Sequence, residues 1–270
     1  MATMPAASIS LMDADEVQVP PAASSHAREA PADPAARKAA MQRDGFLVLR
    51  QLITPQELGE LDGELQRIAG SYRDLAPIRE GFNVERQEKW PDPQSPVFRK
   101  IGGIVDHSSA FRRLCLDRRL VEVLQQVMAE RIRLWRDVVM MKQARVGREK
   151  PWHQDSVYWP WKPYRQVSAF IALDAMTPEN GCLQVIPGTH HEALPHHGKE
   201  SQVALTPEQQ QQTLYVPLQP GDVLFFHGLL LHASEPNRSQ RHRRVIIYSY
   251  MPADLEWTGK GQPEWPLDVA

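Results

Sequence analysis

Cysteine is scarce in this chain, whose 270 residues include only Cys115 and Cys182. Two cysteines cannot build the disulfide framework that stabilises many secreted domains, so we expect a reducing, cytoplasmic location. The chain does not need such a framework, because a 42% share of hydrophobic residues is enough for a sizeable core. We expect Cys182 to be a small residue of that core.

Long apolar runs are also missing. The longest apolar stretch, at about 223–231, contains His227 and is too short to cross a bilayer. The N-terminus has neither the basic region nor the apolar segment of a secretory signal peptide. We therefore expect no membrane partner.

Neither sign of charge dominates, since the formal net charge is −2 at pH 7. Proteins that bind nucleic acid usually carry a basic surface, so this composition argues against a nucleic-acid partner and against oxidative demethylation of nucleic acid. A small molecule is the expected ligand. The sequence contains no signal for an oligomeric state.

The N-terminal part of the chain predicts a tail followed by helices. Residues 1–34 are rich in alanine, proline and serine without periodicity, which is typical of a disordered or loosely attached tail. Residues 35–270 are predicted to form a single domain. The stretch 54–57, "TPQE", has the threonine, proline and glutamate of a helix start with a capping box. Residues 71–100 show no clear period and predict a long loop over the surface or over a site.

The second half of the chain changes from helical to strand patterns. A helix pair is predicted at 108–129, and the segment 198–213 predicts a polar loop or a short helix. Helices followed by many short strands predict a mostly β fold, a barrel or sandwich buttressed by helices. The predicted strands, separated by proline-glycine and asparagine-glycine turns, are 132–142, 167–174, 182–186, 214–217, 222–226, 229–232 and 244–250.

The segment 151–163, "PWHQDSVYWPWKP", places His153 and Asp155 at alternate positions in an aromatic setting. In a strand, both side chains would point to the same face, where they suit a metal ion, a general-base pair or a buried salt bridge. Taken alone, a structural hydrogen-bonded pair is the simplest interpretation. The aromatic neighbours either line a substrate pocket or pack at the barrel edge, and they are Trp152, Tyr158, Trp159 and Trp161.

A metal site needs a third ligand, and His227 and His232 are the candidates. Two imidazoles and one carboxylate form the facial triad of non-haem iron oxygenases, which leaves positions open for other ligands. A 2-oxo acid could fill two of them, and its distal carboxylate would need a cation such as Arg243. We prefer His232, because Ser234 would share its face. The further histidines are assigned to a surface loop, and they are His190, His191, His196 and His197.

Several longer motifs carry a family resemblance. They are "VVMMKQ" at 138–143, "HQD" at 153–155, "ENGCLQVIPGTH" at 179–190, "PGDVLFFHGLLLHAS" at 220–234 and "NRSQRHR" at 237–243. From about residue 44 to the C-terminus, the sequence resembles the phytanoyl-CoA dioxygenase family of Fe(II)- and 2-oxoglutarate-dependent oxygenases.

The resemblance implies a double-stranded β-helix, a jelly-roll core of the cupin type with helices packed outside. It implies that His153, Asp155 and His232 are the catalytic iron ligands. It also implies oxidation of a small organic substrate by O2, usually hydroxylation, with release of succinate and CO2. The alternative is a metal- or ligand-binding jelly-roll module without turnover. The implied contacts to 2-oxoglutarate are Arg243, Ser234, Lys100, Gln154 and Phe170, the last at a position where several relatives have tryptophan.

Overall fold

The computed structural model describes residues 27, 29–71, 82–84, 98–128, 130–198, 202–260 and 267–270. None of the helices in these residues combines the length and the hydropathy that a bilayer crossing requires. Most of the predicted tail lies outside the described residues. Its described part is attached to the domain, because the N–H of Ala27 donates to the carbonyl of Tyr215 (3.0 Å) and that of Ala30 to Val48 (2.7 Å). The tail over residues 1–34 and the single domain over 35–270 stay predictions.

The helices begin where the sequence provides caps. The hydroxyl of Thr54 accepts a hydrogen bond from the N–H of Glu57 (3.3 Å), and the Glu57 carboxylate accepts one from the N–H of Thr54 (2.8 Å), so the predicted capping box is confirmed. The predicted helix pair at 108–129 is also confirmed. The helices in the described residues are α1 (Pro34–Asp44), α2 (Pro55–Gly70), α3 (Ile104–His107), α4 (Ser109–Cys115), α5 (Arg118–Val127) and α6 (Pro207–Gln211).

The larger sheet is antiparallel and mixes early and late segments of the chain. Its strand order is β1-β10-β7-β12-β4-β3-β2, and β14 also pairs with β4. These strands are β1 (Phe46–Leu49), β2 (Phe82–Val84), β3 (Phe98–Gly102), β4 (Ile132–Lys142), β7 (Val167–Ala172), β10 (Val223–His227), β12 (Arg243–Pro252) and β14 (Leu267–Asp268).

The smaller sheet has the strand order β5-β11-β8-β9, and a third sheet consists of β6 and β13. Two antiparallel sheets with long connections between neighbouring strands form the jelly roll that the sequence predicts. The strands of these two sheets are β5 (Lys150–His153), β6 (Trp161–Lys162), β8 (Leu183–Val185), β9 (Leu214–Val216), β11 (His232–Ser234) and β13 (Glu256–Trp257).

The hydrophobic core has two main layers. One layer packs helices α1, α2, α4 and α5 against the outer face of the larger sheet, and the other fills the space between the two large sheets. The buried hydroxyls of Tyr248 and Tyr250 bind helix α4, because they donate to the carbonyls of Phe111 (2.8 Å) and Cys115 (2.9 Å). Cys182 lies in the inner layer, as expected. The helices thus hold the larger sheet from outside and leave its inner face to the site.

Two predicted segments differ from the structure. The predicted strand 229–232 begins only at His232, because the preceding residues form a turn in which the N–H of Leu230 donates to the carbonyl of His227 (2.8 Å). The predicted loop 71–100 contains strand β2 and the start of β3, which pair with each other. The rest of that loop lies outside the described residues. The segment 198–213 is predicted to be a polar loop or a short helix, and it contains the short helix α6.

Candidate active site

His153 and His232 lie side by side on the smaller sheet. His153 ends β5, His232 begins β11, and the two are register partners in this antiparallel pair. Cross-strand partners share a face, and the two ring centroids are 4.1 Å apart. Both side chains are buried. Strand pairing therefore brings together two imidazoles that are far apart in the sequence.

Asp155 completes a group of three. It begins a short 3-10 helix, Asp155–Tyr158, immediately after β5. One carboxylate oxygen lies 3.5 Å from Nε2 of His153, and the other lies 3.9 Å from Nε2 of His232. Among the described residues, this is the one group of three or more His, Cys, Asp or Glu whose ligand atoms all lie within 4.8 Å of one another. The predicted triad is thus brought together in space.

The backbone sets the ring orientation of both histidines. Nδ1 of His153 lies 2.8 Å from the carbonyl of Pro151, and Nδ1 of His232 lies 2.8 Å from that of Leu230. A carbonyl can only accept, so Nδ1 carries the proton in each ring and Nε2 keeps its lone pair. Metal-binding histidines are usually fixed in this way. The geometry presents two Nε2 atoms and a carboxylate toward one point.

The protonation states of His232 and Asp155 favour the binding of a cation. Burial and the neighbouring His153 lower the pKa of His232 to about 4, although Asp155 opposes the shift. Burial would raise the pKa of Asp155, but the interactions with His153 and His232 outweigh it, so the pKa lies below its usual range. At neutral pH the site therefore offers a neutral imidazole and an ionised carboxylate.

His227, the other candidate ligand, lies elsewhere. Its Nδ1 accepts a hydrogen bond from the N–H of Leu229 (3.1 Å), and its ring lies 5.3 Å from that of His190. Of the four histidines predicted to lie in a surface loop, His191 and His197 are exposed, His196 is half-buried and His190 is buried. His190 is buried because its loop packs on the turn after helix α1.

Arg243 lies inside the barrel with its charge largely uncompensated. It begins β12, is 3% exposed, and donates from Nη2 to the carbonyl of Gly181 (2.7 Å). Its Nε is buried and has no hydrogen-bond partner among the described residues. Gly181 has a φ of +77°, and a Cβ there would lie 2.2 Å from the carbonyl oxygen of Glu235. The "ENG" turn therefore needs glycine, and it provides the one acceptor for Arg243 in the part of the chain that the structure describes.

Lys142 is a second buried cation, which the sequence analysis did not single out. It is the register partner of Arg243 on β4 and is 8% exposed. Among the described residues, its ammonium donates only to the carbonyls of Ser234 (3.1 Å) and Glu235. Burial and the charge of Arg243 lower the pKa of Lys142 to about 6. The sequence signal that could have identified Lys142 is its place in the "VVMMKQ" strand, which pairs with the strand that begins at Arg243.

A row of aromatic rings joins the triad to the two cations. The ring of Phe226 lies 5.0 Å from that of His232, and Phe170 lies 6.4 Å from Phe226. The guanidinium carbon of Arg243 is 6.0 Å from the Phe170 ring. Phe170 thus lies between the iron-binding candidates and the candidate anion anchor, although its predicted contact with the co-substrate stays a prediction.

Two other predicted co-substrate residues occupy different positions. Ser234 is buried on β11, two residues after His232 and so on the same face. Lys100 lies on β3 opposite Met140, and its pKa is lowered by burial and by the charge of Arg136. Both contacts with 2-oxoglutarate stay predictions.

Gln154 has a structural position that the sequence did not suggest. Its side-chain amide donates to the carbonyls of Leu229 (2.7 Å) and Glu192 (2.8 Å), and its oxygen accepts from the N–H of Leu194 (2.7 Å). The side chain is fully buried. It joins the loop near Leu194 to the turn that leads into His232. These backbone groups occupy the amide, and the predicted contact of Gln154 with the co-substrate stays a prediction.

Replacing Gln154 by leucine should destabilise the protein without removing a candidate ligand. The leucine would leave three buried backbone groups unpaired, and each such group costs about 1–3 kcal/mol. We expect a melting temperature lower by several degrees and an unchanged iron stoichiometry, measured by thermal unfolding and metal analysis. A Gln154→Leu variant as stable as the parent would show that these bonds contribute little.

The aromatic residues around the "HQD" motif divide into packing and exposed positions. Trp152 packs in a small cluster behind the smaller sheet, and Trp161 packs against Trp135 with ring centroids 5.5 Å apart. Tyr158 is 44% exposed, and its ring lies 6.5 Å from that of His153. Trp159 is half-buried. Of the two alternatives, packing holds for Trp152 and Trp161, and Tyr158 lies beside the triad.

The chain matches the family model described as Phytanoyl-CoA dioxygenase (PhyH) over residues 41–245. It is 26% identical over 243 residues to the peroxisomal phytanoyl-CoA dioxygenase of Rattus norvegicus, with 80% of this chain and 68% of that protein covered. It is 25% identical over 234 residues to the L-proline trans-4-hydroxylase of Streptomyces griseoviridis, covering 77% and 82% of the two chains.

A solved structure agrees with these sequence matches. The crystal structure of EctD from S. alaskensis with 2-oxoglutarate and 5-hydroxyectoine superposes with a TM-score of 0.71 at 25% identity, covering 88% of this chain and 85% of that one. The matched family model spans most of the domain and includes all three triad residues. The chain therefore belongs to the phytanoyl-CoA dioxygenase family, and it is an iron- and 2-oxoglutarate-dependent oxygenase with a jelly-roll fold.

Proposed function

We propose that this protein oxidises a small organic substrate, by hydroxylation or a related oxidation, with His153, Asp155 and His232 as the iron ligands. The observation that carries the assignment is the convergence of their three ligand atoms within 4.8 Å. Two imidazole nitrogens and one carboxylate oxygen suit Fe(II) and leave positions open for other ligands. When bound, iron with 2-oxoglutarate and O2 supplies the oxidising power, and succinate and CO2 are released.

Arg243 and Lys142 are proposed to hold the distal carboxylate of 2-oxoglutarate. Both are buried, and neither has a carboxylate partner among the described residues. Burying an uncompensated charge is costly, so a bound anion is the natural partner for the two cations. The guanidinium of Arg243 can bind a carboxylate through two parallel hydrogen bonds, and its buried Nε is still free to donate.

The remaining residues are proposed to orient the reactants and to exclude water. Phe170 and Phe226 are at most 3% exposed, so they keep the path between Arg243 and the triad dry. Carbonyls of Pro151 and Leu230 hold the two imidazoles with Nε2 directed inward. A dry, preorganised site strengthens the electrostatic contacts to the co-substrate. The cytoplasmic location expected from the low cysteine content also stays a prediction.

The test is anaerobic reconstitution followed by a turnover assay. The protein should bind one Fe(II) per chain, and adding 2-oxoglutarate should produce a weak visible charge-transfer band. Admitting O2 should then yield succinate, and a library of small molecules should contain compounds that accelerate it. A module without turnover would bind metal or ligand but would release no succinate above the level of a His232→Ala control.

Binding of 2-oxoglutarate should take up a proton at pH 7.5. With a pKa of about 6, Lys142 is mainly neutral at this pH, and a carboxylate bound beside it would raise that pKa and protonate it. The pKa of Lys142 is lowered by burial and by the charges of Arg243 and Arg99. Cys182 and Glu149 act in the opposite direction. Because the neutral form prevails above pH 6, affinity for 2-oxoglutarate should fall as the pH rises from 6.

Calorimetry in buffers of different ionisation enthalpy measures this uptake. The uptake should disappear below about pH 5, where Lys142 is already charged, and it should be absent at every pH in a Lys142→Met variant. Proton uptake that persists in Lys142→Met would assign the titrating group to another residue.

A further inference from the structure

The inner face of β4 carries a cation beyond the co-substrate anchor. Val138 packs in the layer between the sheets, whereas Val139 packs in the layer beneath the helices. Side chains alternate along a strand, so Arg136 shares the inward face with Val138. Its backbone pairs with Ser249 of β12, just before the bulge that leaves Trp135 without a register partner.

Arg136 lies at the other end of the barrel from Arg243. Arg243 and Ser249 both belong to β12 and are six residues apart, which corresponds to about 20 Å along a strand. The strand register links Arg136 to the triad, because Ser249 pairs with Ser168 of β7 and Ser168 pairs with Phe226 of β10, whose ring lies 5.0 Å from that of His232. Arg136 therefore lies in the same row across the sheet as Phe226, on the side away from the proposed 2-oxoglutarate anchor.

This cation forms no ion pair in the described part of the chain. Arg136 is half-buried, and no hydrogen bond or ion pair joins its guanidinium to any described residue. The adjacent Asp137 accepts a hydrogen bond from the N–H of Val105 (2.9 Å) on the outer side. Lys100, inward-facing on β3, is a second cation whose pKa Arg136 lowers. Two like charges thus face the same space, and neither forms an ion pair with a carboxylate of the described residues.

An aromatic cluster adjoins Arg136. Its chain neighbour Trp135 packs edge-on against Trp161 (5.5 Å between centroids) and lies 6.2 Å from Trp257. Trp161 is only 2% exposed, and its indole N–H has no hydrogen-bond partner among the described residues. A cation, an unused buried donor and apolar rings therefore occur together at the triad end of the barrel.

We infer that Arg136 is a specificity-determining residue that binds a carboxylate group of the primary substrate, while the tryptophan cluster contacts an apolar part of the same molecule. The inference rests on the proposed oxygenase function and adds the substrate class, an organic acid with an apolar or aromatic body. A planar guanidinium binds a carboxylate through two parallel bonds. Such an anchor would hold the body of the substrate over the open metal positions.

The test compares matched acids and amides as probes. Phenylalkanoic acids from benzoate to 4-phenylbutanoate and their primary amides are titrated into the anaerobic protein loaded with Fe(II) and 2-oxoglutarate. Tryptophan fluorescence reports binding, since three tryptophans lie in the cluster. The variants are Arg136→Gln, Arg136→Lys and the control Arg133→Gln, whose arginine on the same strand is paired with Asp268 (2.7 Å).

The parent protein should bind the best acid at least about tenfold more tightly than its amide, as expected for a charge-assisted hydrogen bond. Arg136→Gln should abolish this preference, Arg136→Lys should keep part of it, and Arg133→Gln should keep all of it. Iron content and 2-oxoglutarate affinity should be the same in all four proteins. Equal binding of acids and amides, or no acid in the set with an Arg136-dependent preference, overturns the inference.

The two proposals fail in different ways. The iron content and the visible band with 2-oxoglutarate are measured first on the same samples, and their absence in the parent protein would reject the oxygenase site itself. Normal iron and 2-oxoglutarate binding together with an acid preference that survives Arg136→Gln would reject the role of Arg136 alone. Circular dichroism of each variant confirms that the fold is retained.

Discussion

Replacing His232 by alanine should abolish tight iron binding and turnover, whereas His227→Ala should leave both in place. Within the described residues, His232 is one of three side chains that present a ligand atom to the candidate site. Loss of a residue that merely orients a metal ligand costs about ten- to a hundredfold in affinity, so loss of the ligand itself should exceed about a hundredfold. Anaerobic Fe(II) titration and succinate formation measure the two effects.

His227→Ala is a matched control because it also removes a histidine, half-buried in this case, from the same stretch of chain. Its Nδ1 accepts only from the N–H of Leu229, two residues along the chain, and its ring contacts His190 on the other side of the loop. Thermal unfolding should show similar, modest losses of stability in both variants. The ligand assignment is wrong if His227→Ala loses iron while His232→Ala retains it.

The choice between these two histidines shows how far sequence patterns reach in this protein. His227 lies within the apolar stretch 223–231, and His232 directly follows it. The alternation of side chains along a strand therefore does not show which of the two histidines faces the site. The strand register distinguishes the two histidines, because His232 pairs directly with His153 across β5 and β11. Register depends on the whole pairing of two strands that are distant in the sequence. The preference for His232 came from the position of Ser234 and from the family resemblance, and its role as an iron ligand stays a prediction.

The fold was predictable where strands are long and apolar. The predicted strand 132–142 coincides with β4, and the alternation within it separates inward from outward residues. Strands β5 and β3 were harder, because they are short and carry lysine, arginine or proline that strand propensity disfavours. Their stability comes from neighbouring strands: β5 pairs with β11, and β3 pairs with β4.

Two polar residues show what the sequence could not provide. Lys142 resembles a strand residue at a sheet edge, and only its pairing opposite Arg243 shows that two cations share one buried space. Gln154 looks like the middle of a metal-binding motif, but its amide holds backbone groups of two other segments. In both cases the hydrogen-bond partners lie at least 35 residues away along the chain.

Replacing Arg243 by leucine should weaken 2-oxoglutarate binding by roughly ten- to a hundredfold, because a charge-assisted hydrogen bond to a carboxylate contributes about 1.5–3 kcal/mol. Iron binding should be unaffected. The free energy of unfolding of the ligand-free protein should change little, since the variant loses one bond to the carbonyl of Gly181 but no longer buries an uncompensated charge. Titration of the visible band with 2-oxoglutarate measures the affinity.

Arg244→Leu is the control, and it should show the opposite pattern. Arg244 faces outward, donates from Nη2 to Asp174 (2.8 Å), and also pairs with Asp62 of helix α2. Its removal leaves two partly buried carboxylates without a partner, so we expect a loss of about 2 kcal/mol in the free energy of unfolding. Affinity for 2-oxoglutarate should be retained. The anchor lies elsewhere if Arg243→Leu binds 2-oxoglutarate normally, and Lys142 would then be the next residue to replace.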